Sequence, residues 1–261
     1  MTERVQKVLS QWGIASRRKA ETMMVEGRVK INGRTAKLGD KIDLKTDVLL
    51  VDGKVVKQTQ KPRQIYLLLN KPAGVISSCD DPQGRRTVVD LLPEVLKRAT
   101  GIHPVGRLDL ASSGALILTN DGEFTLGLTH PRYHLSKTYV VELDRPPIQQ
   151  DLSRWRKGIV LDGKKTLPAK INIVGSDKTT IEIVLTEGRN RQIRRVAQKL
   201  GYRVTRLHRI AIGSIDLRNS KNAELEQGKY RHLIQKEVNY LYDSFNSNLK
   251  AATRFGSAVH D

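Results

Sequence analysis

Every apolar run in this 261-residue chain is short, and most carry the period of a β-strand rather than of a helix. The longest, around residues 65–69 and 115–118, are strand-sized, far below the ~20 apolar residues that a membrane-spanning helix needs. From Ile65 onward such runs follow one another, at residues 66–70, 114–119, 137–143, 169–174, 180–186 and 204–212. Helical spacing is clear around Ile193, Val196, Ala197 and Leu200, and weaker over residues 89–99. This pattern predicts an α+β fold: a mixed, mainly antiparallel sheet with a few flanking helices.

The first sixty residues read differently. Val5, Val8, Leu9 and Trp12 recur at helical spacing, and Gly13 closes that helix. Ser16 is placed to cap a second helix with Ala20, Met23 and Met24 inside. Arg17, Arg18 and Lys19 fill its first turn, where cations oppose the helix dipole, so they serve something other than helix stability. A strand at 28–31 ends in the hairpin signal Asn32-Gly33, and alternating pieces at 41–44 and 48–51 follow. Residues 57–64 lack an apolar anchor and contain Pro62, the composition of a linker. From about Glu237 polar residues such as Asn239, Asp243 and Ser244 dominate, which predicts a tail that is a frayed helix or disordered. The expected organisation is a module over 1–60, a larger domain over 61–236 and a polar tail over 237–261.

Lysine and arginine number 46 against 27 acidic residues, a formal charge of +19. That excess points to a polyanionic partner, because each phosphate neutralised releases counterions. The single cysteine, Cys79, permits neither an intrachain disulfide nor a thiolate metal cluster, which fits a reducing compartment. No signal peptide or membrane anchor is read, so the expected location is the cytoplasm.

One segment carries more chemical information than the rest: Gly106-Arg107-Leu108-Asp109-Leu110-Ala111-Ser112, running into Gly114-Ala115-Leu116-Ile117-Leu118-Thr119-Asn120-Asp121-Gly122. A carboxylate follows an arginine at the mouth of a hydrophobic strand that ends in an Asn-Asp-Gly turn. This stretch resembles the active-site motif of RNA pseudouridine synthases of the RsuA/RluB type, which modify ribosomal RNA. Ser112 stands where that group has Thr, and Ala115 replaces one of its leucines, both mild departures. The resemblance makes Asp109 the catalytic residue. Arg107, two residues earlier, is implied to fill the place of an extracted base or to hold a displaced phosphate, with simple structural pairing as the alternative.

Two further stretches resemble the same family. Lys137-Thr138-Tyr139-Val140-Val141 matches its second motif, implying that Tyr139 stacks on the target base. Gly188-Arg189-Asn190-Arg191-Gln192-Ile193-Arg194-Arg195 matches its third. There the resemblance implies that Arg194 pairs with Asp109 and that Ile193 offers the base an apolar wall. Arg191, where many relatives have His, is a variant of the RluB-like branch. Arg189, Arg191 and Arg195 belong to this basic run and are read as RNA contacts. Lys71-Pro72-Ala73-Gly74 resembles a turn that borders the family's cleft, and no chemistry is assigned to it. The N-terminal run is similar to the RNA-binding module named after ribosomal protein S4, which makes Arg17, Arg18, Lys19, Arg28 and Lys30 phosphate contacts.

The reaction implied is uridine to pseudouridine in ribosomal RNA, with the large-subunit RNA as the main expectation and the small-subunit RNA as its competitor. Cleavage and rejoining conserve atoms, so no cofactor and no metal are expected. One anionic group beside the ribose C1′ suffices, whether it attacks, stabilises positive charge or takes a proton. The expected partner is ribosomal RNA or an assembly intermediate, and the chain is expected to be monomeric and free of membrane. Two rivals remain: a ribosome-binding relative without catalysis, and a hydrolase built on Asp109. The second needs two carboxylates across one bond, and the motifs supply one.

Other signals fail. Residues 158–166 nearly spell a phosphate-binding loop, but Lys165 sits where Ser or Thr is needed and the strand-loop-helix context is missing. His130 and His134 have the spacing of metal ligands on a helix, and Pro131 argues against that helix. No Ser-centred nucleophile elbow occurs.

Overall fold

The computed structural model describes residues 2–56, 62–97, 100–130, 134–218 and 222–256, with side chains described as far as residue 245. The linker expectation therefore falls largely outside the described residues. The chain divides into two compact units, one holding residues 1–65 with 92–103 and 118–122, the other 66–91, 104–117 and 123–261.

In the first unit, helices α1 (Val5–Gln11) and α2 (Arg17–Val25) pack on a small antiparallel sheet. Its strands run in the order Arg34–Thr35, Val29–Ile31, Leu49–Val51, Lys54–Val55. Ser16 caps α2 by accepting from the Lys19 amide at 3.3 Å. Asn32 and Gly33 both take positive φ (49° and 81°), the geometry a two-residue hairpin of this hand demands. Val5, Leu9, Met24, Val29 and Leu49 meet in the core, so both helices press their apolar stripes onto one sheet face. Arg17, Arg18, Lys19 and Lys30 stay exposed. Arg28 does not stand free: its guanidinium binds Asp52 through both carboxylate oxygens (2.7 and 2.8 Å) and reaches Glu26 at 3.2 Å.

The Asn-Asp-Gly turn acts as a clamp within this unit. Asn120 accepts from the Ile65 amide (2.8 Å) and donates to Arg63 O (2.8 Å), while Thr119 donates to Ile65 O (2.6 Å).

The larger unit is built on a mixed, mainly antiparallel sheet. Its main path runs Lys170–Ile173, Thr180–Leu185, Lys137–Leu143, Val204–Ile212, Ser113–Thr119, Tyr66–Lys71, Tyr230–His232. The parallel step joins Val204–Ile212 to Ser113–Thr119, with Arg209 opposite Gly114. Helices cover both faces. On one face α5 (Gln149–Lys157) and α6 (Gln192–Lys199) bury Leu152, Trp155, Ile193 and Val196 against Val141 and Ile183. On the other, α4 (Gly122–Thr129) and α7 (Gln235–Gly256) bury Phe124, Val238, Leu241 and Phe245 against Ile117 and Leu68. A four-residue helix, α3 (Glu94–Lys97), belongs to the first unit and lies within the stretch of weak helical spacing.

One expectation changes. The segment from residue 237 belongs to one helix, α7, and as far as Phe245 it is held by a buried stripe of Val238, Leu241 and Phe245. Residues 160–165 form a β-hairpin, Val160–Leu161 with Lys164–Lys165, in keeping with the rejection of a phosphate-binding loop there. No helix among the described residues is long and apolar enough to cross a membrane.

Candidate active site

Asp109 sits in the turn that enters the strand Ser113–Thr119, and a buried lysine holds that turn from behind. Lys71 is completely buried, and its ammonium donates to Pro72 O (2.9 Å), Ser112 O (2.7 Å) and Asp109 O (3.3 Å). Ser77 Oγ accepts from the Leu108 amide (3.1 Å) and donates to Leu108 O (2.9 Å). The Gly74 amide donates to Leu110 O at 2.8 Å. The Lys71–Gly74 stretch is thus the scaffold of the aspartate loop, a part that spacing and composition did not reveal. Burial pushes the Lys71 ammonium down to about 8, with Asp109 opposing that shift and Arg209 adding to it.

The Asp109 side chain remains 28% exposed and opens into a cavity of about 630 Å³. Tyr139, Ile193, Arg107, Arg189 and Arg191 also line it, so the three motifs converge. Tyr139 is half-buried, Ile193 buried and Arg107 exposed. The Arg209 guanidinium carbon lies 6.0 Å from the centre of the Tyr139 ring.

The ion pair differs from the one implied by the resemblance. Arg191, not Arg194, faces Asp109, with Nη1 at 3.9 Å from Oδ2. Arg191 takes a left-handed backbone (φ 48°, ψ 32°) at the start of α6, a conformation of the kind that concentrates at functional sites. Arg194 lies outside the cavity lining and donates to Ala111 O (3.1 Å) and Val204 O (3.0 Å). It braces the aspartate loop by its backbone and touches Asp109 only through the field. Burial and the neighbouring Arg191 lower its proton affinity, and the Asp109 charge opposes them.

Two other arginines of the run are already committed. Arg189 donates to Lys164 O (2.9 Å), Lys165 O (2.6 Å) and Glu187 (3.1 Å), fastening the hairpin to the cavity wall. Arg195 binds Asp162 at 2.5 Å. Glu187, the second carboxylate lining the cavity, accepts from Arg189, from Gln192 (2.8 Å) and from the Leu167 amide (2.8 Å). Its charge is therefore spent on structure. His130 and His134 line the same cavity. No group of three metal-ligating side chains occurs among the described residues.

The family described as RNA pseudouridylate synthase matches residues 65–199, the stretch that carries Asp109, Tyr139 and the third motif. The chain belongs to the RNA pseudouridine synthase family. Residues 3–49 match the S4 domain. A Bacillus subtilis protein named ribosomal large subunit pseudouridine synthase B is 41% identical over 244 residues, spanning 92% of this chain and 95% of that protein. An Aquifex aeolicus RNA pseudouridine synthase is 41% identical across 93% of this chain and 94% of its own length. A crystal structure of a pseudouridylate synthase aligns with 91% of this chain and 99% of that one, at a TM-score of 0.65 and 32% identity. Members of this family are isomerases, and Asp109, Tyr139 and Ile193 of the cavity lie in the part of the chain that defines membership.

Proposed function

We propose that this chain converts a specific uridine of large-subunit ribosomal RNA to pseudouridine, acting in the cytoplasm on the RNA or an assembly intermediate. The full-length similarity to the Bacillus subtilis large-subunit enzyme supports that target. The observation that carries the mechanism is the pairing of one available carboxylate with one committed carboxylate in the same cavity. Asp109 is accessible and faced by Arg191, whereas Glu187 is held by three donors. Chemistry by a single carboxylate fits isomerisation, in which the base never leaves. It does not fit glycoside hydrolysis, which places two working carboxylates across the bond.

In this reading a uridine turned out of its stack enters the cavity with its base between the Tyr139 ring and the Ile193 side chain. Asp109 acts at the ribose C1′, with Arg191 beside its carboxylate. Lys71 and Arg194 fix the loop carbonyls so that the carboxylate does not drift. Arg107, exposed at the cavity rim, takes the place of the extracted base or the displaced phosphate. Residues 1–60 dock RNA through Arg17, Arg18, Lys19 and Lys30, and the larger unit, including α7, forms the catalytic domain. No cofactor or metal enters the reaction, and the working form is a monomer.

Pseudouridine mapping across both ribosomal RNAs, from cells with and without the gene, tests the target. Loss of one large-subunit site is expected. Loss of a small-subunit site instead would move the target, and an unchanged map would discard the assignment.

A further inference from the structure

Two cations of the cavity have no anion among the described residues. Arg209, within the strand Val204–Ile212, is only 5% exposed. Its Nε donates to Ala115 O at 2.7 Å, but its Nη2 is buried without any acceptor. Lys137, the first residue of the strand Lys137–Leu143, lines the same cavity half-buried, and the charged neighbour that acts on it is Arg209 itself. The register brings them together: Tyr139 lies opposite Arg209 and Lys137 opposite Ile212, with an irregularity between Thr138 and Tyr139. Residues two apart on a strand share a face, so Lys137 and Tyr139 both look into the cavity.

Buried charge without a partner is costly, and the consistent explanation is an acceptor that arrives with the substrate. Depth tells which part of the substrate supplies it. Arg107 and Arg191 are exposed cations of the same cavity, within reach of phosphates. A phosphodiester chain must leave the cavity in both directions and so stays at its mouth. Only the nucleoside goes deeper, into the part of the cavity lined by Tyr139, Lys137 and Arg209, whose guanidinium carbon lies over the Tyr139 ring at 6.0 Å from its centre. The acceptors on a uracil edge are its two carbonyl oxygens.

We propose that Lys137 and Arg209 receive a carbonyl oxygen of the target uracil and hold the negative charge the ring takes up when its bond to ribose breaks. This rests on the reading of the cavity as the uridine site. When the C1′–N1 bond opens, its electron pair leaves with N1 and spreads over both carbonyl oxygens, while Asp109 meets the electron deficiency at C1′. After the ring turns, C5 supplies the pair that rejoins C1′. The C5 proton departs, N1 takes up a proton, and reactant and product have the same atoms. Positive donors fixed where charge develops are an effective form of transition-state stabilisation.

The test compares single-turnover cleavage of the N-glycosidic bond in ribosomal RNA transcripts made with uridine or with 5-fluorouridine, read by nucleoside mass spectrometry. Fluorine withdraws charge from the ring and stabilises its anion, so loss of a charge receptor hurts that substrate less. Lys137→Gln and Arg209→Gln are expected to slow the uridine transcript about 100-fold and the fluorouridine transcript markedly less, with RNA affinity within a few-fold. Equal defects on both substrates overturn the proposal. Arg209 is buried, so if its replacement does not fold, Lys137→Gln carries the comparison alone.

The pH profile on uridine transcripts adds a second readout. Burial and the Arg209 charge push the Lys137 ammonium down to about 8. The wild-type rate therefore falls as pH rises through that region, and Lys137→Gln lacks that limb. A limb that survives in the variant contradicts the proposal. The comparison is run on whichever transcript the wild type modifies, large-subunit first and small-subunit second. Failure of the target assignment and failure of the charge receptor are thereby read separately.

Discussion

Gly114→Ala is expected to break the junction between the aspartate loop and the sheet. Gly114 has φ +110°, and a Cβ placed there would lie 2.2 Å from Arg209 O, 2.6 Å from its N and 2.8 Å from its C. An ordinary C···O contact is about 3.3 Å or longer, so the strands Ser113–Thr119 and Val204–Ile212 must part by roughly 1 Å. The backbone conformation itself costs about 1–3 kcal/mol for a residue with a side chain. Parting the parallel pair leaves buried backbone groups unmatched at about 1–3 kcal/mol each. The sum is about 4 kcal/mol, which for a chain of this size lowers Tm by about 8–16 °C. Thermal unfolding followed by circular dichroism measures it. A fall below about 2 °C would refute the close approach of these strands and the placement of Arg209 behind the site.

Two more outcomes follow from the charges. Replacing Arg17, Arg18 and Lys19 together by Gln is expected to reduce the slope of log affinity for RNA against log salt by about 2–3, whereas Arg28→Gln, whose guanidinium Asp52 already occupies, leaves it nearly unchanged. Salt titrations that give both variants the same slope would contradict this division. His208 is 3% exposed between Ser113 (2.8 Å) and Glu224 (2.9 Å), and its burial outweighs the pull of Glu224, holding it below its ordinary 6.5. Below that pH the unfolded chain takes a proton that the native state refuses, so stability declines as pH falls from about 6.5. Urea midpoints at pH 7.5 and 5.5 should differ more in the wild type than in His208→Gln, and an identical difference would count against it.

The strands were legible as short apolar runs: residues 137–143 and 204–212 coincide with observed strands, and Thr180–Leu185 keeps a strict alternation of buried and half-buried residues. The stripe Ile193, Val196, Ala197 likewise gives α6 its buried face. Helix α5 escaped because only Leu152 and Trp155 are buried in it, two points on which no period can be read. Helix α7 carried a readable stripe at Val238, Leu241 and Phe245, masked by the polar residues between. Within the site, the cavity-lining residues Asp109, Tyr139 and Ile193 were found through the motifs they sit in. The Lys71–Gly74 turn was read beside the cleft, but not the role of Lys71, since nothing in a sequence says that a lysine is buried beneath a loop. The exchange of Arg194 for Arg191 beside Asp109 depends on the left-handed backbone of Arg191, a tertiary feature without a local signal.

The central claim is that Asp109 acts directly on the ribose of a uridine held in this cavity. Asp109→Asn keeps the size and most of the hydrogen bonding of the side chain while removing its charge. Single-turnover pseudouridine formation on the cognate RNA, measured beside RNA affinity, is the direct test. The expected result is a loss of at least about 1000-fold in rate with Kd within a few-fold of wild type. A variant that still forms pseudouridine at a rate within about tenfold of wild type would contradict the account.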